Sequence, residues 1–274
     1  TRIAGARSGA GPLLLSYAWE PITVADTHRG PALENYLVAV AEAGSFGSDL
    51  VLPLHEGFQK DLLLGKPVAR AEWQEIRNYL EFYAGDLPRR YRRVSNVAVI
   101  AADPMGAVEI LRLLSRHNLP FELVTPDALQ GDGLKAFDLV VVLDPLAEAQ
   151  VGPLAAFAKG GATVVLNGPA QGAQWPGAVR VLENDRQVTY GLGGGRLVTL
   201  REPIADPDEF ARDVRDLLGP DRRVVDVWNG ITVMLAPYEE PGGDTVMVTA
   251  LNYAHQAQPI QVRVKGLFST GHYE

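Results

Sequence analysis

The turn at Asp144-Pro145 is the first place in this chain to look for chemistry. It follows the β-branched run from Val140 to Leu143 and precedes an amphipathic segment. Many enzymes with covalent intermediates place a nucleophilic Ser or Cys at such a turn between strand and helix. This turn offers neither a hydroxyl nor a thiol, and the chain contains no cysteine. We therefore predict that Asp144 caps the following helix and that Pro145 is its first residue. The turn would then have a structural role rather than a catalytic one.

A second hypothesis places a small-molecule site at the carboxyl ends of the predicted strands. Asp103, Asp144 and Asn167 each follow an apolar run, and open α/β sheets bind their ligands at that edge. Asp103-Pro104 suits a turn before a helix equally well. The hypothesis of an α/β enzyme with its site at this edge therefore stays open.

Two further motifs predict neither a bound cofactor nor a metal. The glycines of YGLGGGRLVTL, from Gly191 to Gly195, join one strand-like run to another. A dinucleotide fingerprint must instead open a helix, so a hairpin is expected. His55 and Glu56 are adjacent and would face opposite sides of a strand, and no HExxH spacing accompanies them.

Composition sets the class of protein and of partner. The 274 residues are 47% hydrophobic with a net charge of -8, which fits a soluble protein and argues against nucleic acid or an anionic membrane as partner. No apolar run approaches the length of a membrane span. The absence of cysteine excludes disulfides and is compatible with any compartment, of which we favour the cytoplasm. The chain begins with Thr1 and ends at Glu274 after a strand-like run, so we expect a piece of something longer.

The spacing of apolar residues predicts three regions: 1–94, 95–222 and 223–274. The first has strand and helix alternating twice, which implies a parallel sheet. The second repeats the alternation and predicts a three-layer α/β domain, with a helix that starts at Asp206 and stops at Gly219. The third changes to β-branched runs separated by Asn229-Gly230 and Gly242-Gly243, which predicts antiparallel hairpins. The basic cluster from Arg89 to Arg93 is expected to be a solvated linker.

The string FDLVVVLDPLAEAQVGPLAAFAKGGATVVLNG, residues 137–168, resembles the middle domain of family 42 glycoside hydrolases. That resemblance implies a glutamine-amidotransferase-like, flavodoxin-like fold used for trimerisation rather than for glutaminase chemistry. The segment GLGGGRLVTL resembles the closing strand of that domain, and DTVMVTALNYAHQAQPIQVRVKG resembles the small β-sandwich domain that follows it. The opening region then resembles the last two βα units of the family's catalytic (β/α)8 barrel.

The resemblance also implies a nucleophile-like position for Glu20. This residue follows the run LLLSYAW at the carboxyl end of a predicted strand, where barrel enzymes place catalytic groups. Trp19 is then available as a sugar platform, and Glu56 lies at the mouth of the next predicted strand. A retaining glycosidase needs a second carboxylate roughly 5 to 5.5 Å away as acid/base. The family supplies that group from a strand that this chain does not contain, and nothing marks Glu56 as its replacement, so we expect Glu20 to be inert here.

Three functional hypotheses follow from these observations. The first, which we prefer, is a catalytically incomplete part of a glycoside-hydrolase-like protein that acts on carbohydrate. Its α/β domain would mediate assembly into a homo-oligomer such as a trimer. The second is the α/β enzyme with a site around Asp103, Asp144 and Asn167. The third is a non-catalytic module that binds carbohydrate or another protein.

Overall fold

The computed structural model describes residues 14–20, 30–104, 106–125, 129, 133–169, 175–242, 245–254, 257 and 259–265. Contacts within the chain divide these residues into two compact units. The first unit contains the described residues between 14 and 93 and between 238 and 251, and the second contains those between 94 and 237 and from 252 onward. The domain boundaries at 94/95 and 222/223 stay a prediction.

The first unit begins with strands and helices that alternate as predicted. Strand β1 (Leu14–Ser16) lies parallel to β2 (Asp49–Val51), and helix α1 (Leu33–Ser45) connects them. Two parallel strands need such a crossover because the chain must return to the same end of the sheet. Helices α2 (Glu56–Leu63) and α3 (Pro67–Glu81) follow. The sequence did not predict α2, since eight residues are too few for a clear helical period.

A small apolar core joins these helices. Tyr36 and Leu37 on α1 are buried with Ile76 on α3, and Trp73 and other partly buried residues pack against them. Trp73 and Ile76 are three residues apart and therefore lie on one side of α3, which is its buried side. Tyr79, three residues further along, is exposed.

The rest of the first unit corrects the expected linker. The chain leaves α3 through one π-helical turn (Phe82–Asp86) and a short helix, α4 (Leu87–Arg90), and then forms β3 (Arg92–Arg93). Strand β3 pairs antiparallel with β12 (Val233–Glu239), in a sheet of order β13-β12-β3 that includes β13 (Val246–Asn252). The solvated-linker prediction for Arg89 to Arg93 is wrong, because a strand more than a hundred residues later pairs with its last two residues.

The second unit is built on a seven-stranded sheet of order β5-β4-β6-β7-β10-β9-β8. Five strands are parallel, and along the chain they follow the order 2-1-3-4-5 of flavodoxin-like sheets. The hairpin of β8 and β9 adds two antiparallel strands at one edge. The strand bounds are β4 (Val97–Ile100), β5 (Phe121–Val124), β6 (Leu139–Val142), β7 (Thr163–Leu166), β8 (Val179–Glu183), β9 (Gln187–Leu192) and β10 (Gly195–Leu200).

The central strands are buried along their whole length, as a parallel sheet covered by helices requires. The helices of this unit are α5 (Val108–Arg116), α6 (Glu148–Lys159) and α7 (Pro207–Leu218). Leu154 and Ala158 of α6 pack in the same core as Val140 and Val164 of the sheet. None of the helices in the described part of the chain has the length and apolar character needed to cross a membrane.

Two turn predictions have different outcomes. The glycine-rich segment is the expected hairpin, with β9 and β10 paired antiparallel and Gly193 at a φ of 61°. The hairpin expected at Asn229-Gly230 is wrong, because β11 (Val225–Trp228) pairs antiparallel with β14 (Gln261–Val264) rather than with the strand that follows it. Asn229 still has the left-handed backbone of a turn, at a φ of 59°. The turn thus sends the chain into a different sheet.

Candidate functional site

The segment after β1 places Trp19 and Glu20 in different surroundings. Trp19 is partly buried, and its ring lies edge-on to the His55 imidazole with 6.1 Å between ring centres. Glu20 is exposed. Trp19 therefore has an aromatic neighbour that holds its ring.

His55 links Trp19 to the start of α2. Its Nδ1 accepts a hydrogen bond of 3.1 Å from the amide of Gly57, which caps the helix, and its own backbone N–H donates to the hydroxyl of Tyr36 at 3.0 Å. A capping side chain satisfies one of the free amides of the first helical turn. His55 is thus a structural residue of this corner of the unit.

Three aromatic rings continue the wall beside Trp19. The ring centre of Tyr36 lies 5.8 Å from that of Tyr17 and 5.9 Å from that of Phe58, against which it is stacked. Burial raises the pKa of the Tyr36 hydroxyl, and burial together with the neighbouring Tyr36 raises the pKa of Tyr17. Both phenols therefore stay neutral near pH 7 and offer hydrogen bonds without charge.

A groove of about 1100 Å³ opens in front of this wall. Trp19, Tyr36 and Phe58 line it, together with the first turn of α1 and the start of α3. Its polar rim includes Asp61, which pairs with Lys66 at 2.6 Å, and Glu72. Its volume is slightly above the usual range of small-molecule sites, roughly 300 to 1,000 Å³, and its aromatic and polar lining is typical of such sites.

The predicted carboxylates are not among the described residues that line this groove. Glu20 is exposed beside it, and Glu56 is the exposed first residue of α2 rather than a group at the mouth of β2. An acidic residue in the first turn interacts favourably with the helix dipole, which gives Glu56 a structural role. Across the described residues, no cluster of three or more His, Asp or Glu side chains could hold a metal ion.

The carboxyl edge of the large sheet brings Asp144 and Asn167 into one set of loop contacts. Asp144 accepts a hydrogen bond from the backbone amide of Ala102. Asn167 donates to the carbonyl of Leu143 at 3.0 Å and accepts from the amide of Ile204 at 3.1 Å. These side chains are used to fasten the loops after β4, β6 and β7, whereas Asp103 is exposed.

The predicted cap at Asp144 is wrong. Helix α6 begins three residues beyond Pro145, after Ala147, whose backbone N–H donates to the side chain of Gln150 at 2.8 Å. Asp144 is therefore too far from the helix to accept from its first amides and bonds across the sheet instead. The sequence had no signal for this partner, because Ala102 lies 42 residues earlier.

Sequence reasoning also missed the aromatic wall. Tyr36 and Phe58 lie on helices that follow β1 and β2, and only the packing of those helices brings their rings together. The sequence did contain one signal for this wall, which is an aromatic residue in the first turns of each helix that follows a strand. Helices that follow parallel strands begin at the same edge of a sheet, so their first turns come close together.

No family model matches this sequence, and no curated protein matches it. The fold does match solved structures. Gan42B, a GH42 beta-galactosidase from G. stearothermophilus, aligns with a TM-score of 0.52 and 14% identity over 77% of this chain and 44% of its own. A cold-adapted beta-galactosidase from Rahnella sp. R3 aligns with a TM-score of 0.54 and 14% identity over 86% of this chain and 50% of its own.

In fold, this chain is a partial family 42-like protein. It spans about half the length of the structures it matches. An alpha-L-fucosidase from Paenibacillus thiaminolyticus matches with a TM-score of 0.52 and 12% identity, over 85% of this chain and 50% of its own. The resemblance predicted from residues 137–168 is thus confirmed at the level of fold. Two different sugars appear in the names of these enzymes, so the likeness selects no particular glycoside.

Proposed function

We propose that this chain is a catalytically incomplete, accessory part of a glycoside-hydrolase-like protein that acts on carbohydrate. The observation that carries the proposal is the position of Glu20. It is exposed, and neither it nor Glu56 is among the described residues that line the aromatic groove. Glycoside hydrolysis uses two carboxylates that flank the sugar bond. Of the two carboxylates that line the groove, Asp61 is paired with Lys66 and Glu72 lies on α3, so neither stands in the position that the resemblance gives to the nucleophile.

The groove supports a role in binding sugar rather than in cleaving it. Trp19 offers an aromatic face and Tyr36 a neutral hydroxyl, and the Asp61–Lys66 pair has no net charge. Amphipathic rings of this kind have an apolar body and a polar end, which suits a ligand with both C–H and O–H surfaces. Trp19 is accordingly the substrate-binding residue of the proposal, with Glu20 beside it in a nucleophile-like position.

The α/β region supplies the second part of the proposal, which is homo-oligomerisation. We assign the seven-stranded sheet to a glutamine-amidotransferase-like domain, supported by its 2-1-3-4-5 strand order and by the turn at Asp144, which lacks a nucleophile. By the same resemblance this domain mediates trimerisation, and the strands after residue 223 form the start of a β-sandwich.

The alternative enzyme at the carboxyl edge of the sheet has less support. Asn167 uses both its amide nitrogen and its amide oxygen in bonds to backbone groups, and Asp144 uses one carboxylate oxygen in the same way. A catalytic group needs a free atom within reach of its substrate. Asp103 alone would not make a site.

The deciding experiment is a hydrolysis assay of this chain with a panel of aryl glycosides that includes galactosides and fucosides. We expect no turnover above that of the Glu20→Gln variant. Glutaminase activity should also be absent, since the thiol that this chemistry requires is missing from the sequence. Turnover that disappears in Glu20→Gln and survives in Glu56→Gln would overturn the proposal of an incomplete site.

A further inference from the structure

The second unit exposes three large apolar side chains close to one another in the fold. Trp228 is 45% exposed and Ile231 88% exposed, both beside the turn that follows β11. Tyr253 is 39% exposed and directly follows β13. Single exposed apolar residues are normal, but three on adjoining segments make a candidate binding surface.

Gly230 lies between Trp228 and Ile231 and brings the backbone of this turn close to the residues beneath it. This glycine is buried, and a Cβ placed on it would lie 2.7 Å from Cγ2 of Val227 and 3.3 Å from Cγ2 of Ile260. The backbone of the turn therefore rests directly on the apolar residues beneath it, with no room for a side chain. The bond from the amide of Val233 to the carbonyl of Gly230, at 2.9 Å, closes the turn. The backbone that carries Trp228 and Ile231 is consequently held in place by the packing of Gly230.

Hydrogen bonds join this turn to the segment that carries Tyr253. The backbone amide of Tyr253 donates to the carbonyl of Thr232 at 3.0 Å. The hydroxyl of Thr232 donates to Oδ1 of Asn252 at 3.1 Å, and that oxygen also accepts from the amide of Ala254 at 3.0 Å. Tyr253 thus lies beside Ile231 in a fixed backbone arrangement, and the surface is built before any ligand arrives.

The described residues of the two segments that form this surface include no Asp, Glu, Lys or Arg. They are residues 227–237, 252–254, 257 and 259–262, whereas the four charged types make up 21% of the chain. The polar side chains at the surface are neutral amides, among them Asn229 and Gln261, which pairs with Trp228 across β11 and β14. Among these described residues, a ligand would meet aromatic faces and amide groups.

We propose that this surface, formed by Trp228, Ile231 and Tyr253 with Asn229 and Gln261, is a non-catalytic binding site for a neutral saccharide chain. Aromatic rings provide rigid apolar area for the C–H faces of a sugar ring, and amides both donate to and accept from its hydroxyls. The absence of charge suits a ligand without charge, because no ionic group has to lose its hydration on binding. The site belongs to the second unit, whereas the groove beside Trp19 belongs to the first. The choice of a saccharide over another neutral ligand rests on the proposed function.

Native gel electrophoresis of the whole chain tests this proposal. The gels contain soluble galactan, galactomannan or xyloglucan as neutral probes, and polygalacturonate as the charged comparison. We expect at least one neutral polysaccharide to slow migration while polygalacturonate does not. Trp228→Ala should weaken the retardation constant by about tenfold or more, and Tyr253→Ala by less, since aromatic contacts dominate such sites. Trp228→Phe retains a ring and should restore most of the binding.

Trp19→Ala is the matched control, because it removes an indole from the groove of the first unit. Retardation lost in Trp19→Ala and kept in Trp228→Ala would overturn this inference while leaving the proposed function intact. Failure of all three neutral polysaccharides to slow the chain would overturn it as well. So would a change of molar mass in Trp228→Ala by light scattering without a change in retardation, since the surface would then be a protein interface. Circular dichroism of each variant verifies that it is folded.

Discussion

The carboxylate of Asp144 accepts a hydrogen bond from the backbone amide of Ala102, across the carboxyl ends of two adjacent parallel strands. Asp144 follows β6 and Ala102 follows β4, so one side chain fixes the two loops relative to each other. In a related arrangement a nucleophile would stand at this turn and would need its reactive atom free. Here the side chain at this turn, Asp144, forms a hydrogen bond with the backbone. The position therefore has a structural role in this chain, although other enzymes use it for catalysis.

Replacing Asp144 by Ala should therefore lower the free energy of unfolding by about 1 kcal/mol, the usual net value of one such bond. Asp144→Asn is the control, because its amide oxygen can still accept from Ala102. Urea unfolding followed by circular dichroism measures both variants. If Asp144→Asn and Asp144→Ala lose the same free energy of unfolding, the stabilisation comes from the charge of Asp144 rather than from its hydrogen bond.

Local pattern predicted much of the fold and little of its side-chain chemistry. The runs at Val140 and Val164 predict buried strands because they are rich in β-branched apolar residues. Gly193 predicts a tight turn because glycine readily adopts a positive φ, and its φ is 61°. These signals are contained in a few consecutive residues. Partners that are distant in sequence are not. Asn118 is an example, because it bonds to Val233 at 3.1 Å and to Leu235 at 2.7 Å, more than a hundred residues later.

The candidate site shows the same limit. The sequence placed Trp19 and Glu20 after a strand, and both lie there. It could not show that Trp19 lies against His55 and lines a groove while Glu20 stays exposed. The difference in burial between Trp19 and Glu20 depends on how α1 and α2 pack over the strand ends. The spacing of apolar residues within one segment does not predict that packing.

The cap of α7 predicted from Asp206 is confirmed. Its carboxylate accepts from the amide of Asp208 at 2.9 Å and from the amide of Glu209 at 3.1 Å. Asp206→Ala should cost roughly 0.5 to 2 kcal/mol of stability, the range found for lost caps. Asp206→Ser should recover most of it, since a hydroxyl also accepts from these amides. Thermal unfolding checks the pair, and a loss as large in Ser as in Ala would contradict the capping role.

Acid should weaken the contact between α5 and α7. His117 Nε2 and Asp208 Oδ1 lie 2.9 Å apart, and this hydrogen bond, with Arg212 nearby, lowers the pKa of Asp208. A carboxylate with a lowered pKa adds stability above its unfolded pKa near 3.9 and loses that contribution as pH falls through the folded value. Asp208→Asn should therefore have a shallower loss of stability below about pH 4. Chemical unfolding at several pH values measures the slope, and identical slopes would refute the coupling.

Alkali should destabilise the first unit through Tyr238. Burial raises the pKa of this tyrosine far above its ordinary value, and its hydroxyl donates to the carbonyl of Ser45. The unfolded chain loses the phenol proton near pH 10 while the folded chain keeps it, so stability present below pH 10 is lost above it. In Tyr238→Phe the stability should fall less steeply between about pH 9 and 11. The other tyrosines titrate in both proteins and cancel in the comparison, and equal slopes would contradict the prediction.

Strand β8 is the surface of the α/β region best suited to self-association. All five of its residues are exposed, including Val179 at 66% and Val181 at 62%, and no other strand of the described residues pairs with its outer edge. An open edge with apolar side chains is a template for further pairing. The first unit also exposes apolar strand residues, Leu14 at 68% and Val51 at 45%, so it offers a competing surface.

We predict that the chain forms a closed homo-oligomer through β8 and that Val181→Lys reduces it to monomers. A specific interface buries about 800 Å² per partner, and a lysine at its centre would have to give up its hydration there. Leu14→Lys is the matched variant, with the same charge placed on β1, and it should leave the molar mass unchanged. Size exclusion with light scattering across a tenfold dilution series measures all three proteins. Dissociation by Leu14→Lys alone would assign association to the first unit instead, and a monomer at every concentration of the unaltered chain would refute oligomerisation itself.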